Sequence, residues 1–362
     1  MKIQSRIKEY TVHFVENLLP KANRLLQEIP HNRLFFFIDQ NVYDIYREEL
    51  ADLTGKNLHY VIEAKEENKE FLKLADYYAL LLNERFTKKD MLVTVGGGIL
   101  QDISGFIAST YLRGIKWTFF PTTLLAQADS CIGSKTSINF KNRKNLLGSF
   151  FPPDNIFIDS RFCSTLLAGD FNSGRGEIIK FHLMSDKKSY HKLLDYLKIP
   201  DPLEPQKLND IIRSTLKIKM SYFMEDEFDS QRRNLLNYGH CFGHALESAS
   251  DFLVPHGEAV ILGMAFANLV SLKRGIIKPG TYEELQDLLR PYHPAFDLST
   301  VEADEIVHYM KNDKKRTGPH LSMILCRDIG DQIKCDDIKE EEIYSTYREF
   351  LSHSQAAGLT IT

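Results

Sequence analysis

Asn237-Tyr-Gly-His240-Cys-Phe-Gly-His244, followed closely by His256-Gly-Glu258, is where this chain concentrates residues able to do chemistry. Two imidazoles four residues apart share one face of a helix, about one turn from each other. His256 stands in a Pro-His-Gly-Glu context that reads as a loop entering an apolar helix. Three histidines this close match what a borderline metal such as zinc takes, and a site with three protein ligands keeps a position open for substrate. Helix-face histidines with solvated or hydrogen-bonded rings would show the same spacing, so spacing alone leaves both readings open. Glu177-Ile-Ile-Lys180 sets a carboxylate and an ammonium at i, i+3. On a surface such a pair is worth roughly a few tenths of a kcal/mol. Its neighbours Ile178, Ile179 and Phe181 point instead to a buried helix, where unpaired charges are costly. A buried carboxylate facing a histidine cluster is a natural metal ligand.

A second group lies earlier in the chain. Met91-Leu-Val-Thr-Val95 runs straight into Gly96-Gly97-Gly98, with a helix-like stretch from Asp102 to Thr110. Glycines after a strand let the backbone approach phosphates, and the following helix aims N–H groups at them. A plain tight strand-to-helix turn is the competing reading. Arg113, the stretch from Pro121 to Asn139 with Asp129 and Lys135, and Lys144-Asn145 place single charges among Gly, Ser, Thr and apolar residues. Pocket residues are distributed in that way. Lys219, Arg233 and the Asp313-Lys314-Lys315-Arg316 cluster add positive charge suited to a carboxylate or phosphate.

These residues need elements to carry them. Leu34–Ile38, Leu58–Ile62, Met91–Val95 and Trp117–Phe120 read as strands, with a charged amphipathic helix expected from Glu67 to Glu84. Strands alternating with helices predict a parallel α/β sheet with ligands at its carboxyl edge. Beyond Leu166 the helical pattern takes over: 168–184, 208–227, 234–252, 258–274, 282–289 and 301–311, with one late strand at Leu321–Cys326. The tail from Ser352 reads as polar and frayed. The fold class expected is therefore α/β, with a Rossmann-like domain over 1–160 and a mostly α-helical domain over 161–362. The 362 residues are 43% hydrophobic and 26% charged, enough for two cores of ordinary size. A net charge of −4 gives no reason to expect nucleic acid or an anionic membrane as partner. No apolar run is long enough to span a bilayer, and Met-Lys-Ile-Gln-Ser-Arg has no signal-like apolar core. Cys131, Cys163, Cys241, Cys326 and Cys335 are scattered and odd in number, which predicts reduced thiols in a cytoplasmic protein.

Taken together the motifs resemble the 3-dehydroquinate synthase family of sugar phosphate cyclases, over roughly Arg33 to Gly330. The resemblance rests on Gly-Gly-Gly-x3-Asp102, Tyr-Leu-Arg113-Gly, Pro-Thr-Thr-Leu-Leu-Ala-Gln-x-Asp129-Ser, Lys135-Thr, Lys144-Asn145-Leu-x-Gly, Glu177-x2-Lys180, Leu-Asn237-x-Gly-His240-x3-His244 and His256-Gly-Glu-Ala-Val. It implies an NAD-binding N-terminal domain, a helical metal-binding domain and an active site in the cleft between them. The implied metal ligands, for Zn2+ or Co2+, are Glu177, His240 and His256, which moves His244 from the metal to the substrate side. Asp39, Glu66, Lys69, Gly97, Gly98, Asp102, Thr122, Thr123, Asp129 and Lys144 are implied to line NAD, with Glu66 and Lys69 near its adenosine end. Substrate is implied to meet Asp129, Lys135, Asn145, Lys180, Lys219, Arg233, Asn237, His244 and Lys314, and Arg113 to reach its phosphate across a homodimer interface. Lys135, Lys180, His244, Asn237 and Glu177 are the implied catalytic set.

The activity so implied is 3-dehydroquinate synthase. A seven-carbon sugar acid phosphate is transiently oxidised by NAD, loses phosphate, is reduced again, and closes by an intramolecular aldol step. Lys219 and Arg233 stand where the resemblance puts a clamp for the substrate carboxylate, which a neutral sugar phosphate would not call for. Four departures bear on substrate identity: Gln101 for a glycine beside the cofactor turn, Ser134 and Ser137 for glycines flanking Lys135, Phe151-Pro152-Pro153 for Tyr-Gln-Pro, and Arg175 before Gly176. Two added hydroxyls near Lys135 could read a different substituent or merely fill space. The alternatives are a specialised cyclase acting on an amino analogue, sedoheptulose 7-phosphate or another sugar phosphate, and, more distantly, an NAD- and zinc-dependent polyol dehydrogenase.

Overall fold

The computed structural model describes residues 1–362 except 142, 200–203, 230, 313–319 and 357–362, with the backbone alone for 354–356. Residues 1–166 with 202–228 form one unit, and 167–201 with 229–362 a second.

The first unit holds β1 (Lys2–Gln4), β2 (Glu9–Phe14), β3 (Leu34–Asp39), β4 (Leu58–Ile62), β5 (Met91–Gly96), β6 (Lys116–Pro121), β7 (Lys135–Phe140), β8 (Arg143–Phe150) and β9 (Asn155–Ile158). Seven of them make one sheet in the order β1-β2-β9-β6-β5-β3-β4, parallel except for the β1–β2 pair. Every residue of β3 and β5 is buried, which is why both read as unbroken apolar runs. From β3 the chain steps outward to β4, then returns to the other side of β3 to lay down β5 and β6. The strand order therefore reverses between β3 and β5, and a crevice opens at the carboxyl ends of such a pair. Asp39 ends β3 and the three glycines end β5, so both come out at this reversal.

Helix α1 (Gly98–Thr110) follows β5, and β7 and β8 form an antiparallel hairpin outside the main sheet. The hairpin was not expected, because its mixed polar residues hide the alternation. The helix expected over Glu67–Glu84 is broken. Two 3-10 turns, Glu66–Lys69 and Phe71–Lys73, precede an α-helix at Leu74–Asn83, and Glu70 between the turns is extended. The break turns the Lys69 ammonium inward, onto Asp102. Helix Pro205–Glu225 belongs to this unit although it lies far along the chain. Its buried face, including Ile211, Leu216, Lys219 and Phe223, packs on segments 126–130 and 160–165.

The second unit is helical around α2 (Ala168–Leu183), α3 (His240–Ala249) and α4 (His256–Lys273), with one antiparallel hairpin, β10 (Leu321–Asp328) and β11 (Asp331–Ile338). Helix α4 is apolar on all sides and nearly every residue from Gly257 to Ser271 is buried, so it is the core of this unit. The single helix expected over 234–252 is a 3-10 turn at Arg232–Asn237 and then α3, divided at Gly239. Glu340–Ala356 is one helix, with Ile343, Tyr347 and Phe350 buried, and residues 357–362 of the tail expected to fray from Ser352 lie outside the described residues. Among the described residues no helix is long and apolar enough to cross a membrane.

Candidate active site

In the second unit, glycines bring the metal-type residues together. Gly176 lies so close to α4 that a β-carbon there would sit 2.3 Å from the Gly257 carbonyl oxygen. A β-carbon on Gly257 would meet the Ser173 carbonyl at 2.1 Å, and one on Gly263 the Gly239 carbonyl at 1.8 Å. Helices α2, α3 and α4 thus touch backbone to backbone. Gly239 also holds φ 79, a left-handed conformation that lets the chain turn into α3 with His240 as its first residue. His256 is likewise the first residue of α4.

The result is a cluster around a fully buried carboxylate. Glu177 Oε1 lies 3.4 Å from His240 Nε2 and 3.3 Å from His256 Nε2, and Oε2 lies 2.5 Å from the buried Lys180 ammonium. Yet neither Glu177 oxygen has a hydrogen-bond partner among the described residues. A buried anion without aligned donors is costly unless a cation completes it. The Glu177, His240 and His256 donor atoms all lie within 4.8 Å of one another, and one carboxylate with two imidazoles suits zinc or cobalt. The residues fit a divalent metal. Burial works against the charge on Glu177, but Lys180 and the two imidazoles outweigh it and hold the carboxyl well below its usual range. Burial, helped by Lys180, holds His240 neutral well below the ordinary imidazole value. His256 is pushed the other way, to about 10, because Glu177 and Glu247 overcome its burial.

His244 shares the exposed side of α3 with this cluster, its ring centroid 5.1 Å from that of His240 and 5.8 Å from that of His256. Asn237, His240 and His244 line one pocket with Asn234, Ser322 and Lys334. The Asn237 side chain donates to the Asn234 carbonyl at 2.7 Å, and Arg233 is buried nearby in the same 3-10 turn. Arg175 faces elsewhere, its guanidinium over the rings of Phe171 and Tyr292. Lys314 lies outside the described residues.

The first unit assembles the other set. At the β3–β5 reversal, Asp39 caps the next helix by accepting from the Asn41 N–H, and Gly97 packs against Thr123 beside Thr122. Asp102 on α1 accepts from Lys69 Nζ at 2.8 Å and from the Ser137 N–H and hydroxyl at 2.9 Å each. Lys69 and Ser137 also contact Asn145 Oδ1, at 2.8 and 2.9 Å, while Asn139 fastens Glu66 and the Asn145 N–H. Lys219 is buried, with its ammonium 2.7 Å from Asp129 Oδ1 and 2.6 Å from the Asp129 carbonyl. Lys135 and Lys144 are exposed, and so is Arg113, which sits at φ 63 in a left-handed run with Leu112 and Gly114.

Family models for the 3-dehydroquinate synthase N-terminal and C-terminal regions match residues 59–173 and 174–316. The 3-dehydroquinate synthase of Streptococcus equi subsp. equi is 32% identical over 90% of this chain and 91% of its own length. Those of Streptococcus pyogenes and Clostridium botulinum are each 34% identical, over 91% and 89% of this chain and 93% of their own. The chain belongs to the 3-dehydroquinate synthase family. Within solved structures it resembles 2-epi-5-epi-valiolone synthase from Streptomyces hygroscopicus subsp. jinggangensis 5008, determined with NAD+ and Zn2+ bound. There the TM-score is 0.84 with 27% identity over 97% of this chain and 99% of that one. A 2-deoxy-scyllo-inosose synthase structure with carbaglucose-6-phosphate, NAD+ and Co2+ shares the fold, at TM-score 0.86 and 24% identity over 96% and 99%.

Two of the departures, Gln101 and Ser134, resolve into internal contacts. Gln101 and Ser130 exchange two hydrogen bonds of 2.6 Å, tying α1 to the segment carrying Asp129. Ser134 sits at φ 66 while the Lys135 N–H donates to the Gly133 carbonyl at 2.9 Å, a γ-turn of the rare positive-φ kind. Its hydroxyl donates at 3.1 Å to buried Glu227, which also accepts from the Ser5 hydroxyl and the Arg6 N–H. We expect Ser134→Ala, which keeps the strain and loses the bond, to lower stability by roughly 1–2 kcal/mol. Ser134→Gly, which relieves the strain, should stay near the parent. Equal drops in thermal midpoint for both variants would show that the backbone conformation plays no part.

Sequence reasoning missed Glu247, Asn139 and Glu227. Glu247 was the most findable, since 240, 244 and 247 follow the i, i+4, i+7 pattern of one helix face.

Proposed function

We propose that this protein is a 3-dehydroquinate synthase, converting 3-deoxy-arabino-heptulosonate 7-phosphate to 3-dehydroquinate and phosphate with NAD+ and a divalent metal, zinc or cobalt. The observation that carries the choice of substrate is the fate of the two unusual hydroxyls. Ser134 is spent on Glu227 and Ser137 on Asp102 and Asn145, so neither is left to read a different substituent. The family's carboxylate-binding pair, buried Lys219 and buried Arg233, is retained.

The second unit would hold the metal through Glu177, His240 and His256, and the first would hold NAD+ along Asp39, Gly97, Gly98, Asp102, Thr122 and Thr123. When bound, the metal would lower the pKa of a substrate hydroxyl and NAD+ would accept and return a hydride. Lys180, fixed against Glu177, supplies a positive charge where an alkoxide or enolate would develop. His244 and Asn237 border the same pocket, where they would orient the substrate and pass protons. Lys135 and Arg233 balance phosphate and carboxylate charge. Glu66, Lys69 and Lys144 belong to the cofactor side, Asn145 and Asp129 to the substrate side, and Lys314 is assigned to substrate by its motif alone. Arg113, exposed on its left-handed turn, suits a homodimer in which it meets a second copy's substrate. The five cysteines, all outside disulfides, suit a cytoplasmic protein.

The test is direct. Purified protein with NAD+, Zn2+ and 3-deoxy-arabino-heptulosonate 7-phosphate is expected to release phosphate and form the carbocycle with no net NADH, and to sediment as a dimer. Arg233→Ala should lower kcat/KM by roughly 100-fold or more, since it leaves a buried substrate charge unpaired. Phosphate release from sedoheptulose 7-phosphate instead would make it a specialised cyclase. NADH accumulation with a polyol would make it a dehydrogenase.

A further inference from the structure

Two candidate ligand sets in the second unit share one imidazole. Glu177, His240 and His256 form the first, and His244, Glu247 and His256 the second. The two nitrogens of His256 face different carboxylates, and a neutral imidazole offers a metal the lone pair of only one of them, so the ring serves one set. Nδ1 lies 2.8 Å from Glu247 Oε1, and Nε2 lies 3.3 Å from Glu177 Oε1.

We propose that Glu247 is a positioning residue of the metal site, not a ligand: it accepts the Nδ1–H of His256 and so presents the Nε2 lone pair beside Glu177 and His240. The inference rests on the metal reading above and adds a residue to it. Three observations carry it. The other ligand histidine is held in the same sense, with His240 Nδ1 3.2 Å from the Tyr238 carbonyl and Nε2 3.4 Å from Glu177. Both rings therefore engage Nδ1 in a fixing contact and turn Nε2 to one carboxylate. Next, a metal on the second set would have to displace the 2.8 Å contact at Nδ1 and take exposed His244, while buried Glu177 Oε1 was left without a hydrogen-bond donor. Finally, the Glu247 side chain is only 17% exposed and leaves α3 one turn beyond His244, where the ring of His256 closes over it. An imidazole that donates its far N–H to a carboxylate is fixed in tautomer and orientation and binds metal more strongly.

The experiment is metal affinity by competition with a chromophoric chelator, together with the Co2+ absorption spectrum, for the full-length metal-stripped protein and three variants. Glu247→Ala should bind Zn2+ about 10- to 100-fold more weakly than the parent, with stoichiometry and Co2+ band positions unchanged. Glu247→Gln, whose carbonyl still accepts the Nδ1–H, should recover part of that loss, which a purely structural role would not predict. Glu177→Gln should lose tight binding and the parent spectrum. An unchanged affinity in Glu247→Ala, or a Co2+ spectrum altered as in Glu177→Gln, overturns the proposal and leaves the metal reading standing. A parent protein that binds Zn2+ no better than Glu177→Gln brings both down.

Discussion

Glu177→Gln is expected to abolish tight metal binding and turnover together, and also to destabilise the fold. The substitution keeps the shape and removes the charge. Glu177 is the single anion of the candidate set with His240 and His256, and two imidazoles alone would form an incomplete site. The second effect comes from Lys180, whose side chain is 3% exposed and whose ammonium is 2.5 Å from the lost carboxylate. Leaving a buried charge without its partner costs about 3–5 kcal/mol. The two effects separate in a double variant. Glu177→Gln with Lys180→Met should regain most of the lost stability, because an apolar side chain can replace a buried ion pair, yet bind no more metal than the single variant. Metal content after dialysis and thermal midpoints of the stripped proteins measure both. A single variant as stable as the parent would mean that the ion pair contributes nothing; one that retained metal would remove Glu177 from the ligand set.

The second large effect involves no chemical group. Gly257→Ala places a methyl 2.1 Å from the Ser173 carbonyl, where ordinary contact begins near 3.4 Å, so α2 and α4 must part by roughly 1 Å. Overpacking of this kind costs about 1–3 kcal/mol or more. It also moves Glu177 away from His256, and metal sites tolerate only about 0.2 Å in ligand distance. We expect stability and metal affinity to fall together. Gly280→Ala is the control: this helical glycine has no atom within 4 Å of an added β-carbon, so the change should be neutral or stabilise by about 0.5–1 kcal/mol. Undiminished metal affinity in Gly257→Ala would show that the helices can shift without carrying their ligands with them.

The same glycines explain what could be read in advance. The buried runs of β3 and β5 announced central parallel strands, because a strand covered on both faces has no polar residues to alternate. Gly96-Gly97-Gly98 and Asp39 marked the carboxyl edge because each ends a strand. The His240 and His244 spacing was legible as one helix face, since four residues make nearly one turn. Glu177 was visible as a charge among apolar neighbours, and the motifs named the family.

Other features lay outside any local pattern. Spacing alone offered three histidines as ligands; the structure gathers Glu177 with His240 and His256 from three helices and leaves His244 beside them. Lys69 read as part of a continuous amphipathic helix, yet its burial against Asp102 breaks that helix into turns. Helix Pro205–Glu225 follows the chain into the helical half but packs with the sheet unit, because its apolar face, like any amphipathic face, does not say which surface will cover it. Whether Ser134 and Ser137 read a substituent or fill space was open in the sequence, because their partners, Glu227 and Asp102, come from 93 and 35 residues away. Residue type and short-range period fix which groups are present and how each element presents them. Which groups meet depends on backbone contacts between elements distant in sequence, and only the folded chain brings those into range.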